Sequence, residues 1–168
     1  YGGAGNDLLI GSAGNDTLRG EAGDDVLVGG AGDDYYLDWQ GNNVYVFGRG
    51  GGQDIIANVG RDSPDRIGVI RFEAGISPED IVVERNHEGG YASLQLNIAG
   101  TQDWIRARGF FGFESASSTS SVQRVEFANG VVWDIPTLAA KAGSGNAQDN
   151  YLLGTGLAEV LTGRAGND

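Results

Sequence analysis

The chain contains no cysteine, no methionine, one histidine and three prolines, and its 11 lysines and arginines stand against 23 aspartates and glutamates. Each scarcity excludes something. Without cysteine there is no disulfide framework, no thiolate metal site and no thiol nucleophile. The lone histidine, His87, leaves no His-Glu-x-x-His zinc pattern, and no Gly-x-Ser-x-Gly elbow accompanies it. A formal net charge of −12 opposes direct binding to phosphate backbones, so no nucleic-acid partner is expected. No run approaches the roughly 18–20 apolar residues of a membrane helix, so no transmembrane segment is expected either. Zero cysteine also fits secretion without stapling. What the chain has in excess is glycine, 30 of 168 residues, beside 40% hydrophobic residues that can still bury a core.

The excess is local. Residues 1–57 hold half of the glycines, with nine acids against two bases, Arg19 and Arg49. Written in nines, this stretch is a tandem repeat: GGAGNDLLI (2–10), GSAGNDTLR (11–19), GEAGDDVLV (20–28), GGAGDDYYL (29–37) and DWQGNNVYV (38–46). After two extra residues, Phe47 and Gly48, a sixth unit reads RGGGQDIIA (49–57). Position four is always glycine. Position six is Asp7, Asp16, Asp25, Asp34, Asn43 and Asp54, and position eight is Leu9, Leu18, Leu27, Tyr36, Tyr45 and Ile56. The period returns as GNAQDNYLL (145–153), GTGLAEVLT (154–162) and GRAGND (163–168), so the chain reads as a piece of a longer array.

Residues 58–142 are nearly balanced in charge and read as short strands: Ile67 to Phe72, Ile81 to Glu84, Leu94 to Ile98, Trp104 to Arg108, Val122 to Phe127 and Val131 to Trp133. Asn129-Gly130 marks a hairpin between the last two. Ser77 before Pro78 signals one helical turn, and Pro136 to Ala142 a short helix. Ser115 to Ser121 reads as a polar loop.

Each repeat unit is six residues of turn and three of strand. Glycine at positions one, two and four permits positive φ and lets carbonyls crowd inward. Carbonyl and carboxylate oxygens, without imidazole or thiolate, suit a hard cation. Calcium accepts 6–8 oxygens in a tolerant geometry, whereas magnesium demands a strict octahedron and keeps its waters. The carbonyl-rich pattern therefore points to calcium, several ions of it.

The nonapeptides resemble the RTX, or haemolysin-type calcium-binding, repeat family. The resemblance implies an all-β chain with a right-handed parallel β-roll, in which two units make one turn, unit n stacks on unit n+2, and calcium lies between stacked turns. It implies ligands from the carbonyls of positions two and four and the aspartate of one loop, and from the carbonyls of positions one and three and the aspartate of the next. A first site would use Gly3, Gly5 and Asp7 with Gly20, Ala22 and Asp25. A second would use Ser12, Gly14 and Asp16 with Gly29, Ala31 and Asp34. A third would use Glu21, Gly23 and Asp25 with Asp38, Gln40 and Asn43, where Asn43 is a neutral ligand. A fourth would use Gly30, Gly32 and Asp34 with Arg49, Gly51 and Asp54. In the degenerate C-terminal array, Asn150 and Asp168 would face each other, with Glu159 at one sixth position.

Residues 58–142, through DRIGVIRFEAGISPEDIVVER, LQLNIAGTQDWIRARGFF and VEFANGVVWD, resemble the haemolysin-type calcium-binding-related domain. The expected organisation is thus a repeat array (1–57), a β-rich cap (58–142) and the start of a second array (143–168). The family implies secretion to the cell exterior or surface by a type I machinery, with further repeats of the parent chain as neighbours. It implies a calcium-binding structural module with no catalytic residues. The alternatives are an adhesin or carbohydrate-binding module, or the accessory part of a secreted protease, lipase or epimerase.

Blander readings attach to several residues. Asp24 and Asp33, at position five, are expected to be solvated charges, and His87 a surface side chain in a hairpin turn. The acids are explained by calcium rather than by a glycosidase pair. Phe110, Phe111 and Phe113, with Trp104 and Trp133, are expected to be core rather than a ligand platform. One face poses a problem. With position eight pointing in, Leu8, Ile10, Val26, Val28, Val44 and Val46 point out on one side, an apolar patch that a soluble monomer seldom exposes. The cap is expected to fold back onto it, or else a partner or second copy to cover it.

Overall fold

The computed structural model describes residues 1–38, 40–57, 66–88, 91–111 and 120–143. The expected second array, with Asn150, Glu159 and Asp168, lies outside the described residues, as do Phe113 and most of the Ser115 to Ser121 stretch. In the repeat region the strands are β1 (Gly3–Ala4), β2 (Leu8–Ala13), β3 (Thr17–Leu18), β4 (Glu21–Ala22), β5 (Val26–Ala31), β6 (Tyr35–Tyr36), β7 (Val44–Phe47) and β8 (Gln53–Ile56). Then come β9 (Val69–Phe72), a 3-10 turn (Pro78–Asp80), β10 (Ile81–Glu88), β11 (Tyr91–Ile98), β12 (Trp104–Phe111), β13 (Arg124–Glu126), β14 (Val132–Asp134) and a helix, α1 (Ile135–Ala142). The all-β expectation holds, and the short helix is present.

Successive units alternate between two sheets. One six-stranded sheet runs β2-β5-β7-β9-β13-β14 and the other β3-β6-β8-β12-β11-β10, while β1 and β4 form a small pair. In the repeat region every pairing is parallel, and its register is the sequence period. Leu8 faces Val26 and Val26 faces Val44, eighteen residues on each time. Tyr35 faces Ile55, twenty residues on, because Phe47 and Gly48 are inserted between them.

Position eight points into the space between the sheets. Leu18, Leu27, Tyr36, Tyr45 and Ile56 are buried, and Leu9 at the open end is half-buried. The same row continues beyond the repeats, with Tyr45 opposite Ile70, Ile70 opposite Val125 and Val125 opposite Trp133. Phe110, Phe111 and Trp133 belong to this core, but Trp104, expected there too, is half-buried outside it with the Arg106 guanidinium 4.3 Å from its ring centre.

Residues 66–143 therefore do not fold back over the apolar outer face. They lengthen both sheets: β9 and β13 continue the first in parallel, and β12 continues the second from β8. The reason lies at the edges. Strands β7 and β8 present rows of unpaired N–H and C=O groups, and adding a strand satisfies them, whereas docking on a face does not. The patch is left partly uncovered, with Leu8 65% and Ile10 62% exposed. The four valines beside them are half-buried by their neighbours in the sheet. Among the described residues only the last pairings, β13 with β14, β12 with β11 and β11 with β10, turn antiparallel. His87 lies exposed near the end of β10 rather than in a turn. Helix α1 begins where Asp134 accepts the amide of Thr137 at 3.0 Å, with a proline in its first turn.

Backbone conformation gives positions two and four a common need. Gly3, Gly5, Gly14, Gly23, Gly30, Gly32, Gly50 and Gly52 all have positive φ. So do Ser12 (φ 85°) and Glu21 (φ 76°), which occupy position two without being glycine. A side chain there costs about 1–2 kcal/mol, and glycine would return roughly 0.5–1 kcal/mol of that in lost chain entropy. Ser12→Gly and Glu21→Gly are therefore expected to stabilise the folded chain by about 0.5–1 kcal/mol each, read as raised thermal midpoints in calcium. Gly23→Ala should do the reverse, because its Cβ would stand 2.0 Å from the Gly5 carbonyl oxygen.

Candidate metal centre

The turns of the repeat stack loop upon loop, unit n beneath unit n+2. Amides at positions two and four of the lower loop donate to carbonyls at positions one and three of the upper. Gly3 donates to the Gly20 oxygen at 3.0 Å, Gly5 to Ala22 at 2.7 Å and Gly14 to Ala31 at 2.7 Å. Gly32 donates to Gly51 at 3.3 Å. Carbonyls at positions two and four of the lower loop point up: those of Ser12 and Gly23 crowd the α-carbons of Gly30 and Gly41. The residues expected in the first two sites are thus brought together as pairs of loops.

Side chains add two ladders running in opposite directions. At position six the upper carboxylate reaches down. Asp25 Oδ1 accepts the Asp7 amide at 2.8 Å, Asp34 Oδ1 that of Asp16 at 2.8 Å, Asn43 Oδ1 that of Asp25 at 2.9 Å and Asp54 Oδ1 that of Asp34 at 3.0 Å. At position five the lower side chain reaches up. Asn6 accepts the Asp24 amide at 2.9 Å, Asn15 that of Asp33 at 3.0 Å, Asp24 that of Asn42 at 2.8 Å and Asp33 that of Gln53 at 3.0 Å. Asn42 extends this ladder beyond the repeats to the amide of Ile67, at 2.8 Å. Asp24 and Asp33 are exposed, but they are not merely solvated charges: each holds the loop above it. The signal was in the sequence, since position five is Asn or Asp in units one to five.

The second oxygen of the position-six carboxylates carries the chemistry. Oδ2 of Asp7, Asp16, Asp25 and Asp34 is buried without a hydrogen-bond partner. Asp25 and Asp34 are 1% exposed. A buried carboxylate oxygen left unpaired is costly unless a cation compensates it. Each of these oxygens lies over the position-one glycine of its own unit. A Cβ at Gly2, Gly11, Gly20 or Gly29 would stand 2.7, 2.7, 2.0 or 2.1 Å from it. Position one therefore needs glycine for space, and the expected positive φ is found only at positions two and four. Among the described residues no three His, Cys, Asp or Glu side chains converge on a metal site. Any cation here takes at most two carboxylates, with main-chain oxygens as its remaining protein ligands. That donor set fits calcium.

The two later stacks depart from this pattern. In the third, Asn43 has no carboxylate to offer: Oδ1 is engaged by Asp25, and Nδ2, the counterpart of Oδ2, donates to the Gln40 oxygen at 2.8 Å. An amide N–H cannot ligate a cation, so the expected neutral ligand is spent on hydrogen bonds. In the fourth, Asp54 has both oxygens engaged, the second by the Tyr36 hydroxyl at 2.9 Å. Tyr36 in turn accepts the Gly29 amide at 3.0 Å. Burial foremost, with Asp54 beside it, raises the phenol far above its ordinary range, which keeps it a donor. A phenol thus caps the second oxygen of the carboxylate expected at the fourth site.

Residues 1–36 match the RTX calcium-binding nonapeptide repeat (4 copies), and residues 94–137 match the haemolysin-type calcium binding protein related domain. No curated protein matches the chain. The first match ends with unit four, just before Asp38, Asn43 and the two-residue insertion alter the pattern.

Asp25→Ala and Asp34→Ala are expected to raise the calcium midpoint of folding roughly tenfold more than Asp7→Ala, a difference of about 1.4 kcal/mol. The two buried carboxylates sit between stacked loops, while Asp7 is half-buried at the open end; equal midpoints would contradict the stacking. A second expectation concerns acid. Burial pushes the Asp54 carboxyl from 3.8 up to about 7, and it raises Asp34 as well. The folded, metal-free chain therefore holds protons that the unfolded chain releases. The stability from Asp54 is complete below 3.8 and is lost as pH rises through about 7. In chelator, β signal should grow as pH falls across this window, and Asp54→Asn should reduce the growth, leaving the part due to Asp34 and to Asp38, which burial raises to about 6. A pH-independent spectrum would show that Asp54 is not buried in the metal-free chain. The chain thus joins RTX calcium-binding nonapeptide repeats to a haemolysin-type calcium binding protein related domain.

Proposed function

We propose that the chain is a calcium-dependent structural module of a secreted bacterial protein. Its repeats form a right-handed parallel β-roll on binding several calcium ions outside the cell, and so support export by a type I secretion machinery. The carrying observation is the set of four buried Oδ2 atoms, on Asp7, Asp16, Asp25 and Asp34, that have no hydrogen-bond partner among the described residues. Calcium supplies the missing positive charge and ties two loops together at each site. The ligands are the carboxylates with the carbonyls of Gly3, Gly5, Ser12, Gly14, Gly20, Ala22, Gly29 and Ala31.

Metal and folding are coupled by magnitude. Fixing each residue costs about 1–2 kcal/mol of backbone entropy, and a unit of nine buries one large side chain worth about 1.5–3 kcal/mol. Glycines lose the most on ordering, and the stacked carboxylates repel one another. Binding energy must therefore become folding energy. In a low-calcium cytosol such a chain stays unfolded and fit for export, and it folds where calcium is plentiful.

The role is structural rather than catalytic. A binding role, as adhesin or carbohydrate module, and an accessory role beside a secreted enzyme are weaker readings. Phe110, Phe111 and Trp133 lie in the core and offer no platform.

Circular dichroism tests the reading. The chain in chelator should lack most of its β signal, gain it with calcium, and not gain it with equimolar magnesium. Identical spectra in chelator and calcium would overturn it.

A further inference from the structure

Unit five breaks the repeat in two places, and the structure brings the two breaks together. Asp38 stands where the earlier units have their position-one glycine, and Asn43 stands where they have aspartate. The side chain of Asp38 is buried, 1% exposed, and turns down onto Gly20 of unit three. Its Oδ2 accepts the Gly20 amide at 3.1 Å, and its Oδ1 lies 3.5 Å from the Gln40 amide. A Cβ placed on Gly20 would stand 2.2 Å from Asp38 Oδ2 and 2.0 Å from Asp25 Oδ2. Two buried carboxylates thus approach one point. One of the two oxygens, Asp25 Oδ2, is buried with no hydrogen-bond partner among the described residues and aimed at that point.

Resting on the calcium reading above, we propose that Asp38 supplies by its side chain the carboxylate that Asn43 lacks, so that Asp25 and Asp38 together hold a third divalent cation between units three and five. The exchange conserves what the site needs. Units one with three and two with four each bring two position-six aspartates to a stack. Units three with five also bring two carboxylates, one from position six and one from position one. The Asn43 amide, freed from ligation, ties Gln40 instead. A cavity of about 410 Å³ reaches Asp38 from outside, lined also by Gly3, Arg19, Glu21, Leu37 and Gln40. Arg19 at its wall is stacked over the Tyr1 ring, 5.4 Å away. Two carboxylates this close and this buried must share a proton or a cation.

The test is ion stoichiometry, measured by calorimetric titration with calcium and by equilibrium dialysis. The wild-type chain should bind one more ion than Asp38→Asn, which keeps the shape of the side chain and removes its charge. The double variant Asp38→Gly with Asn43→Asp restores the pattern of the earlier units and should recover the lost ion. Equal stoichiometry in wild type and Asp38→Asn overturns the proposal and leaves the other calcium sites standing. A wild-type chain that binds no calcium overturns the proposed function itself. If Asp38→Asn does not fold, the Asp38 ¹³Cγ resonance of the wild-type chain decides: it should move with calcium to saturation. A resonance that stays at its protonated position in saturating calcium refutes the cation and leaves a shared proton.

Discussion

At each early stack one carboxylate has two tasks, and the fold depends on their difference. Oδ1 of the position-six aspartate accepts an amide from the loop eighteen residues earlier, which fixes the vertical spacing of the loops. Oδ2 is driven into the same interior and finds nothing there to accept. The hydrogen bond forces the burial, and the burial creates the need for a cation. The rest of the unit follows from this. Position one is glycine because Oδ2 lies over its α-carbon. Positions two and four have positive φ because the loop must turn tightly with its carbonyls pointing up. Position five repeats the hydrogen bond in the opposite sense, so each pair of loops is held in both directions.

Along the chain this device gives way to another. From Tyr36 onward the interior acquires its own donors and its own bulk. The Tyr36 hydroxyl closes on Asp54, and the Tyr45 hydroxyl reaches the Asp38 carbonyl at 3.3 Å. The rings of Tyr36 and Tyr45 meet edge to face, 5.4 Å apart. Beyond them Phe47, Phe72, Phe127 and Trp133 form a chain of ring contacts that no early unit has. Loops that are ordered by charge thus merge into sheets that are ordered by apolar packing, without a break in either sheet.

Much of this was legible in the sequence, because a repeat states its register. The nine-residue period, the apolar row at position eight and the shift at Phe47-Gly48 follow from counting, while the eighteen-residue pairing is what the family resemblance implies. The late strands were placed by their β-rich composition, and the helix by Pro136. What the sequence hid was the second function of individual side chains. Asp38 was seen only as a carbonyl donor, because a repeat assigns each position one role, and its side chain shows its direction only once the loops are stacked. Asn43 looked like a weaker aspartate, yet its N–H faces where an oxygen was needed. Tyr36 looked like a larger leucine, although its hydroxyl is what satisfies Asp54. The cap was misplaced because amphipathic pattern shows which face is apolar but not which edge is unpaired. The edge decided.

The uncovered face fits the same logic. Leu8 and Ile10 lie on the strand farthest from residues 66–143, and Leu9 between them is the least buried of the position-eight side chains. Burial deepens stepwise towards the added strands: Leu18 is 4% exposed and Leu27, Tyr36 and Ile56 are fully buried. The early units have small interiors, four unpaired carboxylate oxygens and little aromatic packing. They have the least to order them apart from ions, while the added strands at the other end bring an apolar core of their own. The order of the elements thus sets a direction: cohesion begins at the aromatic end, and dependence on the metal grows towards Asp7.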